Sequence, residues 1–191
     1  GDISVLSFHA TKLFHTIEGG AIITNSSNIA NKIRSMINFG FSSPFTSTYN
    51  GINAKMSEFH AAMGLAVLDD IKYILDQRKK IWLAYFYNIK APVSFQKLNI
   101  NSNYNYHYFP IVFDSKKELL QVEKLLLNKS IKARRYFYPS LDTLDYFEVS
   151  KKEKCLNSRD LSSKILCLPI FPMMTEDSQS LIIDTINRAY E

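Results

Sequence analysis

Ser7-Phe8-His9-Ala10-Thr11-Lys12, followed by Glu18-Gly19-Gly20-Ala21-Ile22-Ile23-Thr24, is the stretch whose reading decides the fold. Two apolar, β-rich runs, 3–8 and 21–24, flank a short polar loop that carries one lysine and ends in a Gly-Gly pair. Apolar runs bounded by turn residues predict buried strands, and paired glycines suit a turn or a close approach of backbone. Lys12 is therefore expected on a connection between two buried strands rather than on a solvated face. An ammonium held among apolar walls loses hydration, which favours the neutral, nucleophilic amine. Such an amine can form a Schiff base with a carbonyl compound. Ser7, at the exit of the first strand, sets a hydroxyl near backbone N–H groups where an anion can be held. Spacing alone leaves a second reading open, a loop lysine that points to water.

The rest of the chain alternates strands and helices. Ser26-Ser27-Asn28 offers a helix N-cap, and Ile29, Ile33, Met36 and Ile37 recur at helical spacing up to Gly40. Residues 41–51 are rich in Ser, Thr, Pro, Tyr and Asn without period and predict a loop. From 55 to 90 one stripe (Met56, Phe59, Met63, Val67, Ile71, Ile74, Trp82, Tyr85, Ile89) predicts a long helix. Gly64 inside it costs about 1 kcal/mol relative to Ala, which implies a tight contact there. After Pro92, strands are predicted at 93–96, 106–113, 131–138 and 165–170. Helices are predicted at 116–128, 156–163 and 176–190, with Leu119, Leu120, Val122, Leu125 and Leu126, then Leu181, Ile182, Ile186 and Ala189, on their buried sides. This order gives an α/β chain ending in a small α+β domain, helices on one face of a sheet.

Composition narrows the function classes. Among 191 residues the apolar fraction is 46% and the aromatic fraction 13%, which suits a packed globular protein. The net charge of +5 is spread over pairs such as Lys79-Lys80, Lys116-Lys117, Arg134-Arg135 and Lys151-Lys152. Scattered pairs read as solvated surface, and with aromatics at core spacing they argue against nucleic-acid binding. Cys155 and Cys167 make no disulfide framework, and His9, His15, His60 and His107 lack the spacing of metal ligands. No apolar run reaches bilayer length and no signal pattern opens the chain. A cytoplasmic setting with no membrane partner is expected.

The lysine stretch closely resembles the Schiff-base lysine segment of the DegT/DnrJ/EryC1/StrS family of pyridoxal-phosphate-dependent aminotransferases, which act on nucleotide-linked keto sugars. Gly51-Ile52-Asn53-Ala54-Lys55-Met56-Ser57-Glu58-Phe59-His60-Ala61-Ala62-Met63-Gly64-Leu65 is similar to the family's next signature, and Arg134-Arg135-Tyr136-Phe137-Tyr138-Pro139 to a run in the small domain of some members. The resemblance implies the type I fold of pyridoxal-phosphate-dependent transferases (aspartate-aminotransferase-like). On that reading 1–54 is the C-terminal part of an incomplete large domain, 55–91 a connecting helix and 92–191 the small domain. Members are roughly twice this length, and the chain opens at Gly1-Asp2-Ile3 without an initiator Met. The expectation is the C-terminal half of such an enzyme, with the Asp for the pyridine nitrogen and the ring-stacking residue outside it.

By resemblance, Lys12 binds the cofactor, pyridoxal 5'-phosphate, and moves the proton during transfer; relatives with His there act as dehydratases. Ser7 matches a phosphate contact. Asn53 matches a residue that reaches a partner's cofactor phosphate in a homodimer with shared active sites; its other reading is an N-cap of the long helix, and the two roles are not exclusive. Lys55 stands where many members carry Arg, and a lysine offers only a point charge to an anion. His107 matches a histidine that faces the active site, and Arg135 and Tyr136 are candidates for sugar or phosphate. As neighbours on a predicted strand, Arg134 and Arg135 point to opposite faces. The implied reaction passes an amino group from an amino-acid donor, glutamate, to a dTDP-4-keto-6-deoxyhexose for a surface polysaccharide such as lipopolysaccharide O-antigen. The alternative is a truncated, non-catalytic remnant with weak cofactor binding and unpaired sheet edges.

Overall fold

The computed structural model describes residues 1–99, 101–146 and 155–190, so the pair Lys151-Lys152 lies outside the described residues. The chain forms two compact units, 1–72 and 73–191. Strand β1 (Ser4–Ser7) pairs antiparallel with β2 (Gly20–Ile23), Ser4 opposite Ile23 and Ser7 opposite Gly20. A Cβ on Gly20 would lie 2.7 Å from the Leu6 carbonyl oxygen, so the pairing itself demands glycine there. Helix α1 (Ser27–Met36) follows, its first turn closed by Ser26 Oγ accepting from the Ile29 amide at 3.4 Å.

Helix α2 (Glu58–Asn88) runs through the division between the units. Ser57, not Asn53, caps it: the His60 amide donates to Ser57 Oγ at 3.3 Å. Gly64 of α2 sits against Thr16, and a Cβ added at Gly64 would lie 2.8 Å from Thr16 Cγ2. The tight contact expected at this glycine is present.

In the second unit β5 (Ser94–Phe95), β6 (Phe109–Val112) and β7 (Ile165–Leu168) form an antiparallel sheet in that order. Phe109 and Ile111 on β6 face a core built with Trp82, Tyr85 and Ile89 of α2 and with two further helices, α3 (Lys116–Asn128) and α5 (Glu176–Arg188). Leu119, Val122 and Leu126 are the buried residues of α3 at helical spacing, and Ile182, Ile183 and Ile186 serve α5. Each such side chain contributes about 1.5–3 kcal/mol of burial. The Tyr85 hydroxyl, whose pKa burial raises, donates to the Pro169 carbonyl at 2.8 Å. Ser115 and Glu118 make the reciprocal cap of α3, and the Tyr190 hydroxyl donates to Glu118 Oε2 at 3.0 Å. Burial, then that bond to Glu118, pushes the Tyr190 phenol up to about 12.

Four expectations need correction. Residues 41–51 are not a structureless loop. They hold a hairpin of β3 (Phe41–Ser43) and β4 (Thr46–Ser47), anchored where Gly40, at φ +80°, packs on Tyr49. Segment 131–138 is no strand: only Arg134 bridges to Cys167, and the chain turns at Tyr136. The peptides Tyr136–Phe137 and Tyr138–Pro139 are both cis. The pair β1–β2 is exposed, not buried, because each strand bonds only to the other and no second layer covers Val5, Ile22 and Ile23 among the described residues. Leu120 and Leu181 lie outside the helix–sheet core, at the solvent edges of α3 and α5.

Helix α4 (Leu156–Lys164) is tied to a short 3₁₀ turn (Leu141–Thr143) through Asp142. Its carboxylate accepts from Ser140 Oγ at 2.6 Å, from the Cys155 amide at 3.0 Å and from Arg159 Nε at 2.7 Å. The Ser140 bond first, then those from Cys155 and Arg159, hold the carboxyl below its ordinary value of 3.8. This group stabilises the fold above its unfolded value, and the contribution is lost as pH falls through the lower folded value. The stability difference between the native chain and Asp142→Asn, measured by urea unfolding, should be largest near about pH 6–7 and vanish in acid. A pH-independent difference would contradict the network.

Gly64→Ala adds about 1 kcal/mol of helix propensity, yet it should lower stability by about 1 kcal/mol net, because overpacking Thr16 costs more. In a Thr16→Ser background, which removes Cγ2, the same change should be neutral or stabilising. Thermal unfolding of the four-member cycle reads the coupling.

Candidate functional site

The lysine loop begins where the β1–β2 ladder continues: the Phe8 amide donates to the Gly19 carbonyl and the Thr16 amide to the Phe8 carbonyl, each at 2.9 Å. Thr16 is buried, and its Oγ1 donates to the Glu18 carbonyl at 2.8 Å. Phe8 and Phe14 meet edge to face at 4.8 Å below the loop. A tight turn, the Lys12 amide donating to the His9 carbonyl at 2.9 Å, carries the lysine. His9 stiffens it through Thr11 (2.9 Å to Oγ1) and through Glu18, 3.5 Å from Nε2. Lys12 is exposed at the tip of this braced loop. The expected apolar enclosure is absent, for the same reason that β1 and β2 are exposed. The amine is open to a reagent, and Ser7, also exposed, stands at the end of β1.

Asn53 bridges antiparallel to Asn38 just after α1. Its Oδ1 accepts from Lys55 Nζ at 2.8 Å, while Nζ rests 4.1 Å above the Phe39 ring. Lys55 thus orients the Asn53 amide, and its charge is shared with an aromatic face. Ser7, Lys12, Asn53 and Lys55 all belong to the first unit, and the other three predicted residues to the second.

His107 and Tyr136 line one cavity of about 630 Å³ within the second unit. His107 stacks on Tyr108 at 4.0 Å, its amide donates to Asn105 Oδ1 at 3.1 Å, and its carbonyl accepts from Arg78 Nη2 at 3.4 Å. Arg78 also donates to the Ile170 carbonyl at 2.6 Å, and burial lowers its pKa. Cys167 forms part of the cavity wall; burial pushes its thiol up to about 11, so it stays a neutral lining group.

Arg135 does not join the cavity lining. Its Nη2 donates to the Ser162 and Ser163 carbonyls at 3.4 Å each, and its guanidinium lies 3.7 Å from the Tyr138 ring centre. Nε is buried with no partner among the described residues. Arg135 therefore closes the C-terminal end of α4, where exposed carbonyls favour a cation. Arg134 is exposed, and its Nη1 donates to the Tyr136 hydroxyl. The sequence left open which of Arg134 and Arg135 faces a site, and sequence reasoning missed Thr16 because a lone threonine carries no period. The Gly19 and Gly64 pair that receives Thr16 was the available signal.

Residues 1–187 match the model of the DegT/DnrJ/EryC1/StrS aminotransferase family. The chain is 39% identical to a dTDP-4-amino-4,6-dideoxy-D-glucose transaminase of Shigella dysenteriae, over 97% of its own length and 52% of the relative's. It is 28% identical to a GDP-perosamine synthase of Escherichia coli O157:H7, over 100% of its length and 52% of that protein's. The solved structure of DesI in the presence of its TDP-sugar product superposes with a TM-score of 0.88 at 30% identity, covering 98% of this chain and 49% of DesI. The chain spans about half the length of the relatives it matches. Its mixed α/β fold is that of type I pyridoxal-phosphate-dependent transferases, and the chain belongs to the DegT/DnrJ/EryC1/StrS aminotransferase family.

Proposed function

We propose that this chain contributes the lysine-bearing part of an aminotransferase that moves an amino group from glutamate to a nucleotide-linked keto-deoxysugar. The substrate on this reading is a dTDP-4-keto-6-deoxyhexose, the keto counterpart of the amino sugar in the name of the Shigella relative, and the reaction runs in the cytoplasm with a product that feeds a surface polysaccharide. One observation carries the reading: an exposed lysine at the tip of a loop braced by Thr16, His9 and Glu18, within a family signature.

The donor set fits a phosphorylated aldehyde cofactor. Lys12 supplies a primary amine, Ser7 a hydroxyl at a strand end, and Asn53 a carboxamide already oriented by Lys55. Pyridoxal 5'-phosphate, when bound, supplies the electron sink that makes the C–H bond beside the transferred nitrogen acidic. With the cofactor bound, Lys12 Nζ would be the group that accepts that proton and redelivers it. Ser7 and Asn53 hold the phosphate, Asn53 from the partner subunit of a homodimer. Residues 1–54 belong to the cofactor-binding domain, 55–91 to the connecting helix and 92–191 to the small domain. His107 and Tyr136 contact the substrate, while Lys55 and Arg135 act by positioning their neighbours.

The test is an absorbance titration with pyridoxal 5'-phosphate. The native chain should develop a band near about 420 nm, the signature of the cofactor on an amine, and Lys12→Ala should lose it. Glutamate should then bleach the band. A band unchanged in Lys12→Ala would overturn the assignment of the lysine. No band with the native chain would favour the alternative, a non-catalytic remnant.

A further inference from the structure

Phe39 stands at φ +58° and Gly40 beside it at φ +80°. Glycine takes this left-handed conformation freely, whereas an aromatic residue takes it against steric resistance from its Cβ. A strained residue that persists points to a role for its side chain. Core packing is not that role, since Phe39 is 48% exposed. Its ring lies under Lys55 Nζ, 4.1 Å from the ring centre, where the negative face of the π-system attracts the ammonium.

The backbone fixes where ring and amine meet. The Phe39 amide donates to the Ile52 carbonyl at 3.1 Å, the Ile52 amide to the Met36 carbonyl at 2.8 Å and the Ala54 amide to the Ile37 carbonyl at 2.9 Å. The two segments are thus clamped side by side, with Asn38 opposite Asn53. Lys55 Nζ, above the ring, donates to Asn53 Oδ1 at 2.8 Å. An ammonium has donors only, so the carboxamide must turn its oxygen to it and keep its NH₂ as a donor on the other side. The amide cannot flip without losing that bond. A carboxamide left to itself presents either end to an anion, and only the NH₂ end attracts one.

We propose that Phe39 is a positioning residue for this site: its ring seats Lys55, Lys55 fixes the oxygen of Asn53, and the Asn53 NH₂ is thereby committed to an anion such as the cofactor phosphate. The inference rests on the reading of Asn53 as a phosphate contact, and it adds the residue that sets Asn53. Phe39 acts through Lys55 and not on the ligand. A glycine at 39 would relieve the backbone and release the lysine, so stability and phosphate recognition part company at this position.

NMR of the cofactor-free chain reads the arrangement directly. The Lys55 ammonium signal, assigned by its loss in Lys55→Met, should be sharp while the bond to Asn53 slows its exchange with water. It should broaden in Phe39→Gly and stay sharp in Phe39→Tyr, which keeps a ring face. Absorbance titrations then compare pyridoxal 5'-phosphate with pyridoxal, which lacks the phosphate. The preference for the phosphorylated form should fall about three- to fivefold in Phe39→Gly, the range of an exposed cation–π contact. Phe39→Tyr should retain it, and in an Asn53→Ala background residue 39 should no longer matter. Pyridoxal itself should bind all variants alike. Phe39→Gly should melt no lower than the native chain, because glycine accepts the positive φ; a merely structural prop would lose stability together with both ligands. An ammonium signal already broad in the native chain or still sharp in Phe39→Gly, an unchanged preference, or a lower melting temperature with both ligands weakened alike would overturn the proposal. A native chain that binds neither form sinks the lysine reading, and the Lys55 signal then decides Phe39 by itself.

Discussion

The packing of one buried threonine constrains the lysine loop. Thr16 Cγ2 rests on Gly64 of α2, its Oγ1 sits over Gly19, and its amide returns to Phe8. Either neighbouring glycine with a side chain would collide with it. The loop between these contacts has little freedom left, although it is rich in polar groups and open to solvent. A loop lysine is ordinarily mobile, and its ordering cost would be charged against any reaction it performs. Here burial of a single small side chain removes much of that cost before a ligand arrives. Ionic and hydrogen-bonded contacts from His9, Thr11 and Glu18 refine the tip, but exposed contacts of that kind are weak. The steric fit is the stronger constraint.

The second unit solves a different problem. Its core is ordinary, aromatic and aliphatic side chains of α2, α3 and α5 against one face of a three-stranded sheet. The other face of that sheet is covered by an irregular segment that follows α3. Irregular backbone needs partners for its polar groups, and polar anchors at either end supply them. Arg134 pairs with Cys167 through the backbone, Arg135 reaches the end of α4, and Asp142 gathers three donors. The segment touches the sheet ladder at Arg134 and turns away at Tyr136, so it does not continue as a further strand.

Legibility from the sequence followed periodicity. Helices α3 and α5 and strands β6 and β7 carry apolar spacing that matches their burial, and they were readable; α1 was readable from its spacing and Ser26 cap although none of its residues is buried. Residues 131–138 have strand-like composition, but the turn at Tyr136 comes from tertiary anchors that no local window contains. The hairpin of β3 and β4 is set by Gly40 meeting Tyr49, a contact invisible in composition. The burial of β1 and β2 was inferred from hydrophobicity alone, yet burial requires a covering layer and the described residues provide none. At the site, motif resemblance pointed to Lys12, Ser7 and Asn53 as candidates. The contacts that orient them, Thr16 on Gly64 and Lys55 on Phe39, became visible only in three dimensions.

The adjacent arginines show why residue type alone did not assign roles in the second unit. Arg134 and Arg135 share charge, length and hydrogen-bonding capacity, and the sequence offers no reason to prefer one. Local geometry separates them. Arg135 is partly desolvated, with Nε buried, Nη2 on two helix-terminal carbonyls and its plane against Tyr138. Withdrawing it to bind a ligand would expose those carbonyls and lose the stacked ring, so its function is to hold α4 against the segment. Arg134 engages a phenol hydroxyl and, at longer range, the same ring, so less of the surrounding fold depends on its charge. An arginine already satisfied by its own protein is a structural element. The neighbouring one is exposed, with its guanidinium bonded to the Tyr136 hydroxyl, and closes no helix end.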